Sequence, residues 1–232
     1  MGIMDVLKIR KAVTKQQKGD IQGALEDYEA LYGAGVVNVT YMLPYAVILL
    51  KKGGEENYLK VKEILRKAEK APNMTPEYRQ QLLMDYAVAN YKLGEMDKAL
   101  QLLEATHKKA PCGLTYQSLG FLYIQAGDAE KALQYNLEAV EYDDEDPICL
   151  DNLAQVYYRL LGDKEKALEY FSKAHEIKPK QIDTLYFLAK YDMEAGRCAE
   201  AKEKLETALE GNFSPLNYAT PDLVRELLQQ LP

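Results

Sequence analysis

Apolar positions along the chain fall into short helical runs, and glycines punctuate them at a steady interval. After Gly19, the glycines Gly53, Gly94, Gly127, Gly162 and Gly196 follow at spacings of 34, 41, 33, 35 and 34. Each closes one amphipathic run and is soon followed by another. The second runs carry Ala24, Val61, Ala99, Ala132, Ala167 and Ala201 at one equivalent point. Four residues later stands a large side chain (Tyr28, Leu65, Leu103, Phe171 and Leu205), with Asn136 as the exception. A small residue usually follows at plus seven: Ala68, Thr106, Ala139, Ala174 and Ala208, with Leu31 in the first copy. Pro72, Pro111 and Pro179 then close three of the copies.

This pattern predicts pairs of helices joined by tight turns. A glycine after the first helix adopts positive φ without a Cβ clash and stops the helix. The recurring alanine lets two helix axes approach to roughly 8–10 Å. The large residue one turn on fills the space beside that approach. One pair cannot bury its apolar face alone, so successive pairs must stack.

The copy Leu150, Leu153, Ala154, Tyr157, Gly162, Ala167, Phe171, Ala174 and Pro179 resembles the tetratricopeptide repeat (TPR), a helix–turn–helix of about 34 residues. Leucine replaces the family's tryptophan at the first position, and one extra residue lies near Leu161. Its neighbours read Tyr116, Leu119, Gly120, Tyr123, Gly127, Ala132, Ala139 and Leu185, Leu188, Ala189, Gly196, Ala201, Leu205, Ala208. The resemblance covers about residues 5–213. It implies an all-α fold, a right-handed α-α superhelix (solenoid) forming a single domain over residues 1–232. The repeat units are expected at 5–36, 39–72, 80–111, 113–144, 147–179 and 182–213. A capping helix is expected at 220–231, with Thr220 as N-cap and Pro221 in the first turn. The first unit departs from the pattern: Lys8, Lys11 and Lys15 stand where large apolar residues belong, and Val6, Ile9 and Val13 fall on another face. An insertion, Gly54 to Tyr58, is expected at the turn of unit two. The join from Pro72 to Arg79 is stretched, and Thr75-Pro76-Glu77 reads as a helix start.

Composition narrows the function. The 232 residues hold 29 Lys and Arg against 36 Asp and Glu, a net charge of −7. This argues against general nucleic-acid binding, which needs clustered cations. The charge is polarised: residues 1–80 carry a net of +3 and residues 81–232 a net of −10. No apolar run approaches the roughly 20 residues of a membrane span. No signal peptide is visible, because Lys8, Arg10 and Lys11 interrupt the start. Cys112, Cys149 and Cys198 are odd in number and lack C-x-x-C spacing, so they read as reduced thiols of a cytoplasmic protein. His107 and His175 occupy one equivalent position and are expected to face outward. Asp143 to Asp146 reads as a solvated loop that caps the next helix. No phosphate loop, nucleophile motif or metal spacing occurs, so no enzyme activity, cofactor or metal is expected.

The resemblance implies that first helices line a concave surface. The expected groove residues are Leu43, Val47, Met84, Val88, Tyr91, Gln117, Phe121, Ile124, Asp151, Gln155, Tyr158, Tyr186 and Lys190. Their central part is apolar, which marks an interaction patch. The leading expectation is a protein-interaction scaffold that binds an apolar or amphipathic peptide or helix there. The family's clamp for peptide carboxylates needs lysines, arginine and asparagines at positions filled here by residues such as Val47, Val88 and Phe121, so chaperone tails are disfavoured. The alternative is a membrane-peripheral or membrane-anchored adaptor that uses the basic amphipathic stretch Met4 to Lys15.

Overall fold

Glycine and alanine spacing translates directly into helix pairs. In the computed structural model, which describes residues 2–231, thirteen α-helices and no strands are found among the described residues. The chain divides into two compact units, Met1–Thr106 and His107–Pro232.

The first unit contains α1 (Ile3–Gln17), α2 (Ile21–Gly33), α3 (Val39–Lys52), α4 (Glu55–Ala68), α5 (Pro76–Lys92) and most of α6 (Met96–Lys109). Ala24, Val61 and Ala99 are all fully buried, as the close approach of paired helices requires. In α1 the residues buried are Ile9 and Ala12, while Val6 is exposed and Val13 half-buried. Lys15 lies 2.7 Å from Asp27 of α2, so this lysine is tied across the pair in place of an apolar contact.

Two boundaries differ from expectation. The insertion after Gly53 is not a loop. Gly53 and Gly54 both have positive φ, +75° and +91°, and the next four residues form the first turn of α4. Glu55 and Glu56 stand at its N-terminus, where carboxylates favour the helix dipole. Helix α5 starts at Pro76, ahead of the unit boundary expected at 80 but where Thr75-Pro76-Glu77 reads as a helix start, because Thr75 accepts a hydrogen bond from the Tyr78 N–H and proline suits the first turn.

The second unit contains α7 (Gly113–Ala126), α8 (Ala129–Tyr142), α9 (Pro147–Gln155), α10 (Lys164–Ile177), α11 (Ile182–Glu194), α12 (Cys198–Leu209) and α13 (Pro221–Gln229). The residue in excess near Leu161 is absorbed as a π-helical turn, Val156–Leu161, that continues α9. One added residue widens a turn in this way without breaking the helix. Gly162, at φ +70°, then ends it.

Asp128, Asp146, Asp163 and Thr220 cap the helices that follow them, each accepting from a backbone N–H. The core of this unit runs through Leu153, Phe171, Phe187 and Leu205, with Phe171 stacked on Phe187 at 4.9 Å between centroids. Helix α13 packs Val224 and Leu227 into that core.

The histidines do not face outward as expected. His107 is half-buried, with its ring edge on Tyr116 at 4.5 Å and Nδ1 2.9 Å from Thr115 Oγ1. His175 is half-buried too, and burial holds its pKa below the ordinary value, with Lys204 nearby adding to the effect. His107 is thus covered by α7, while His175 has Lys204 of α12 as its neighbour.

A candidate peptide-binding face on the first helices

In the first unit the expected groove residues divide by exposure. Leu43, Met84 and Val88 are buried, while Val47 and Tyr91 are half-buried. The apolar stretch is therefore not an open patch. Helices α3 and α5 lie side by side, and large apolar residues on neighbouring first helices close up.

In the second unit Phe121, Ile124, Asp151, Gln155 and Tyr186 are likewise buried. Gln117, Tyr158 and Lys190 keep accessible area. The buried polar members belong to one network. Thr184 Oγ1 donates to Asp151 Oδ1 at 2.5 Å, and Gln155 Nε2 donates to Asp151 Oδ2 at 2.7 Å. Arg159 then donates to Gln155 Oε1 at 3.0 Å and to Gln125 Oε1 at 3.3 Å. Burial pushes the Asp151 carboxyl up to about 7, with the neighbouring Asp183 charge adding to the rise. Side-chain to backbone bonds also link successive repeats: Asn152 Nδ2 to the Gln117 carbonyl, and Gln181 Nε2 to the Pro147 carbonyl, both at 2.9 Å.

The segment between α12 and α13 runs over this face. The N–H groups of Tyr218 and Ala219 donate to the two oxygens of Asp183, at 3.0 and 2.9 Å. The Tyr218 ring stacks on Phe187 at 5.3 Å and lies 4.0 Å from the Arg159 guanidinium. Lys190 Nζ sits 5.1 Å from the Tyr158 ring centre. Beside this segment is a cavity of about 490 Å³, bounded by α7, α9, the start of α11 and the chain after α12. Leu114, Gln117, Phe121 and Ile148 form one side of it.

Sequence reasoning left Arg159 and Tyr218 out of the groove. Arg159 sits within the π-helical turn, which breaks the regular spacing, and Tyr218 sits in a connection with no periodicity. Among the described residues no three or more His, Cys, Asp or Glu side chains are grouped so as to hold a metal ion. No helix among them is long and apolar enough to cross a membrane.

No family model matches the chain. Over 129 residues, 53% of its length, it is 28% identical to Tetratricopeptide repeat protein 37 of Xenopus laevis, and the match spans only 8% of that protein. The solved tetratricopeptide repeat protein from Parabacteroides merdae superposes with a TM-score of 0.75 at 15% identity, over 97% of this chain and 83% of that one. YrrB, described as a TPR protein with an unusual peptide-binding site, superposes with a TM-score of 0.52 at 21% identity, over 77% of this chain and 88% of its own. The fold and its repeated residues define a class of stacked helix–turn–helix proteins. This chain has the fold of a tetratricopeptide-repeat solenoid.

Proposed function

We propose that the protein is a non-enzymatic interaction scaffold, holding a peptide or helix of a partner protein on its first-helix faces. The observation that supports this best is internal. The segment before α13 lies on that face in the second unit as a bound peptide would, with backbone N–H groups on Asp183 and an aromatic ring on Phe187 and Arg159. Backbone capture combined with side-chain anchoring is how helical and β scaffolds alike take extended segments. The similarity in fold to YrrB, whose description includes a peptide-binding site, is consistent with this use.

In the second unit the partner meets Gln117, Tyr158 and Lys190, together with the exposed Leu114 and the half-buried Ile148. Phe121, Ile124, Asp151, Gln155 and Tyr186 form the floor beneath. In the first unit Val47 and Tyr91 are the accessible members, over Leu43, Met84 and Val88. An amphipathic segment suits the mixture of Leu114 and Ile148 with Gln117 and Lys190. Peptides selected from a displayed random library against the full chain test this. Leu114→Glu with Lys190→Glu should weaken them by roughly tenfold or more while the melting temperature holds, since surface changes typically alter stability by less than about 0.5 kcal/mol. Undiminished binding would move the site elsewhere.

A second reading has its own observation. Helix α1 exposes Ile3 (82%), Met4 (65%), Val6 (47%) and Leu7 (55%) beside Lys8, Arg10, Lys11 and Lys18. An exposed apolar tip beside a cationic stripe suits an anionic lipid surface. Pelleting with phosphatidylserine vesicles should then fall when Lys8, Arg10 and Lys11 are reversed to glutamate. Equal pelleting would dismiss this reading.

A further inference from the structure

The buried side of the cavity in the second unit is acidic, and its two lysines, Lys178 and Lys180, stand at the exposed rim. Asp151 and Asp183 both bound it, and they are exposed to only 2% and 5%. Gln181 bounds it too, exposed to 7%, and its Oε1 has no hydrogen-bond partner although its Nε2 is bonded to the Pro147 carbonyl. A buried acceptor left unpaired is costly, and native interiors rarely keep one without a reason.

The two carboxylates have spare capacity as well. An ionised carboxyl offers about four lone-pair sites. Asp151 uses three of them, on Thr184, Gln155 and the Gln181 side-chain amide, which leaves about one. Asp183 accepts the N–H groups of Tyr218 and Ala219 and a side-chain hydrogen bond from Asn217, which likewise leaves about one site. The Arg159 guanidinium is the positive group whose charge acts on Asp183 and favours its ionised form. Lys178 and Lys180 reach the cavity only from its exposed rim, where solvent and salt screen them.

We propose that this cavity receives a primary ammonium group, the side-chain terminus of a lysine carried by the bound peptide, held by Asp151, Asp183 and the Oε1 of Gln181. An ammonium carries three donors and no acceptor, and the cavity presents three acceptors on three side chains. Its charge restores the balance that burial disturbs: both carboxyls are pushed above the ordinary carboxylate range, mainly by burial, and a cation between them stabilises the ionised forms. A guanidinium is planar and prefers a forked carboxylate, whereas acceptors from three residues suit a compact point charge. This assignment rests on the peptide-binding reading for the source of the lysine, but the chemistry of the cavity can be examined without a peptide.

The probe is Nα-acetyl-lysine methylamide, titrated into the isotopically labelled full chain and followed by amide NMR. Shifts are expected at Thr184, Tyr218 and Ala219 and at the side-chain amide of Gln181, with weak saturable affinity. The norleucine analogue, which lacks the ammonium, should leave these signals in place, and the arginine analogue should bind more weakly than lysine. Asp151→Asn, isosteric and uncharged, should weaken lysine binding by roughly tenfold or more. Gln181→Leu, which removes the unpaired acceptor, provides the same test without touching a carboxylate. Norleucine shifting the same amides as strongly as lysine, or undiminished lysine binding in both folded variants, would overturn the proposal. If library-selected peptides ignore the Leu114 and Lys190 changes while the lysine probe still needs Asp151, the peptide reading fails and the ammonium site stands.

Discussion

Asn136 occupies the space that a side chain on Gly120 would need. A Cβ built on Gly120 would overlap the Asn136 Oδ1, and it would lie 3.1 Å from the Asn152 Nδ2. The Asn136 Nδ2 donates to the Gly120 carbonyl at 3.3 Å and to the Ala132 carbonyl at 2.9 Å. The other copies put an aromatic or leucine where Asn136 stands, facing alanines such as Ala154 and Ala189. Here an asparagine and a glycine change together, and each makes room for the other.

Gly120→Ala should therefore destabilise the protein, although alanine is the better helix former by about 1 kcal/mol. The added methyl displaces a fully buried amide from its hydrogen bonds, a loss of roughly 1–3 kcal/mol. Urea unfolding measures the balance. A stabilised variant would show that the Asn136 side chain relocates at no penalty.

Ala167 is fully buried, on a helix packed against α9. Ala167→Leu forces extra volume into that contact and should lose about 1–3 kcal/mol. An unchanged melting curve would mean that the close approach of the helices does not depend on this alanine.

Asp85 in α5 is buried and bonded only by Gln81 Nε2 at 2.8 Å, with its Oδ2 unpartnered, and burial pushes its pKa up to about 7. The unfolded value is about 3.9, so between roughly pH 4 and pH 7 the folded chain binds more protons than the unfolded one. The stability this group contributes is present below about pH 4 and is lost as the pH rises through 7. Relative to wild type, Asp85→Asn should gain stability steadily over that window and level off above it. Denaturant titrations at pH 4.5 and pH 8 make the comparison, and a constant difference would show that Asp85 does not titrate in that window.

Deleting residues 216–232 removes Val224 and Leu227 from the core and Tyr218 from Phe187. The exposed face of the last repeat should lower the melting temperature and promote concentration-dependent association, because a repeat stack needs a capped end. Sedimentation of the truncated chain checks this, and an equally stable monomer would show that α13 is not a cap.

The helix pairs were legible because their causes are local. A positive-φ glycine such as Gly127, an alanine at a close approach such as Ala132 and a cap such as Thr220 each act within a few residues, so spacing alone reveals them. The extra residue near Leu161 was legible as a count, but its form was not. Whether it became a loop or a widened turn depended on the neighbours of α9.

The groove was legible only as a set of directions. Helical period told which residues share the first-helix face, from Leu43 and Val47 to Tyr186 and Lys190, but not which of them remain open. Burial of Met84, Val88 and Ile124 is a property of packing between elements, and no local pattern encodes it. The same holds for the strongest chemistry of the second unit. Asp151, Gln181 and Asp183 lie up to 32 positions apart, and Tyr218 lies a further 35 beyond Asp183. The sequence by itself determined the repeat, its turns and the start of its last helix at Thr220, because hydrogen bonding and helix propensity act along the chain. Only the tertiary structure decided that the segment before α13 lies across the face and that two carboxylates share one cavity, because those contacts join residues a full repeat apart.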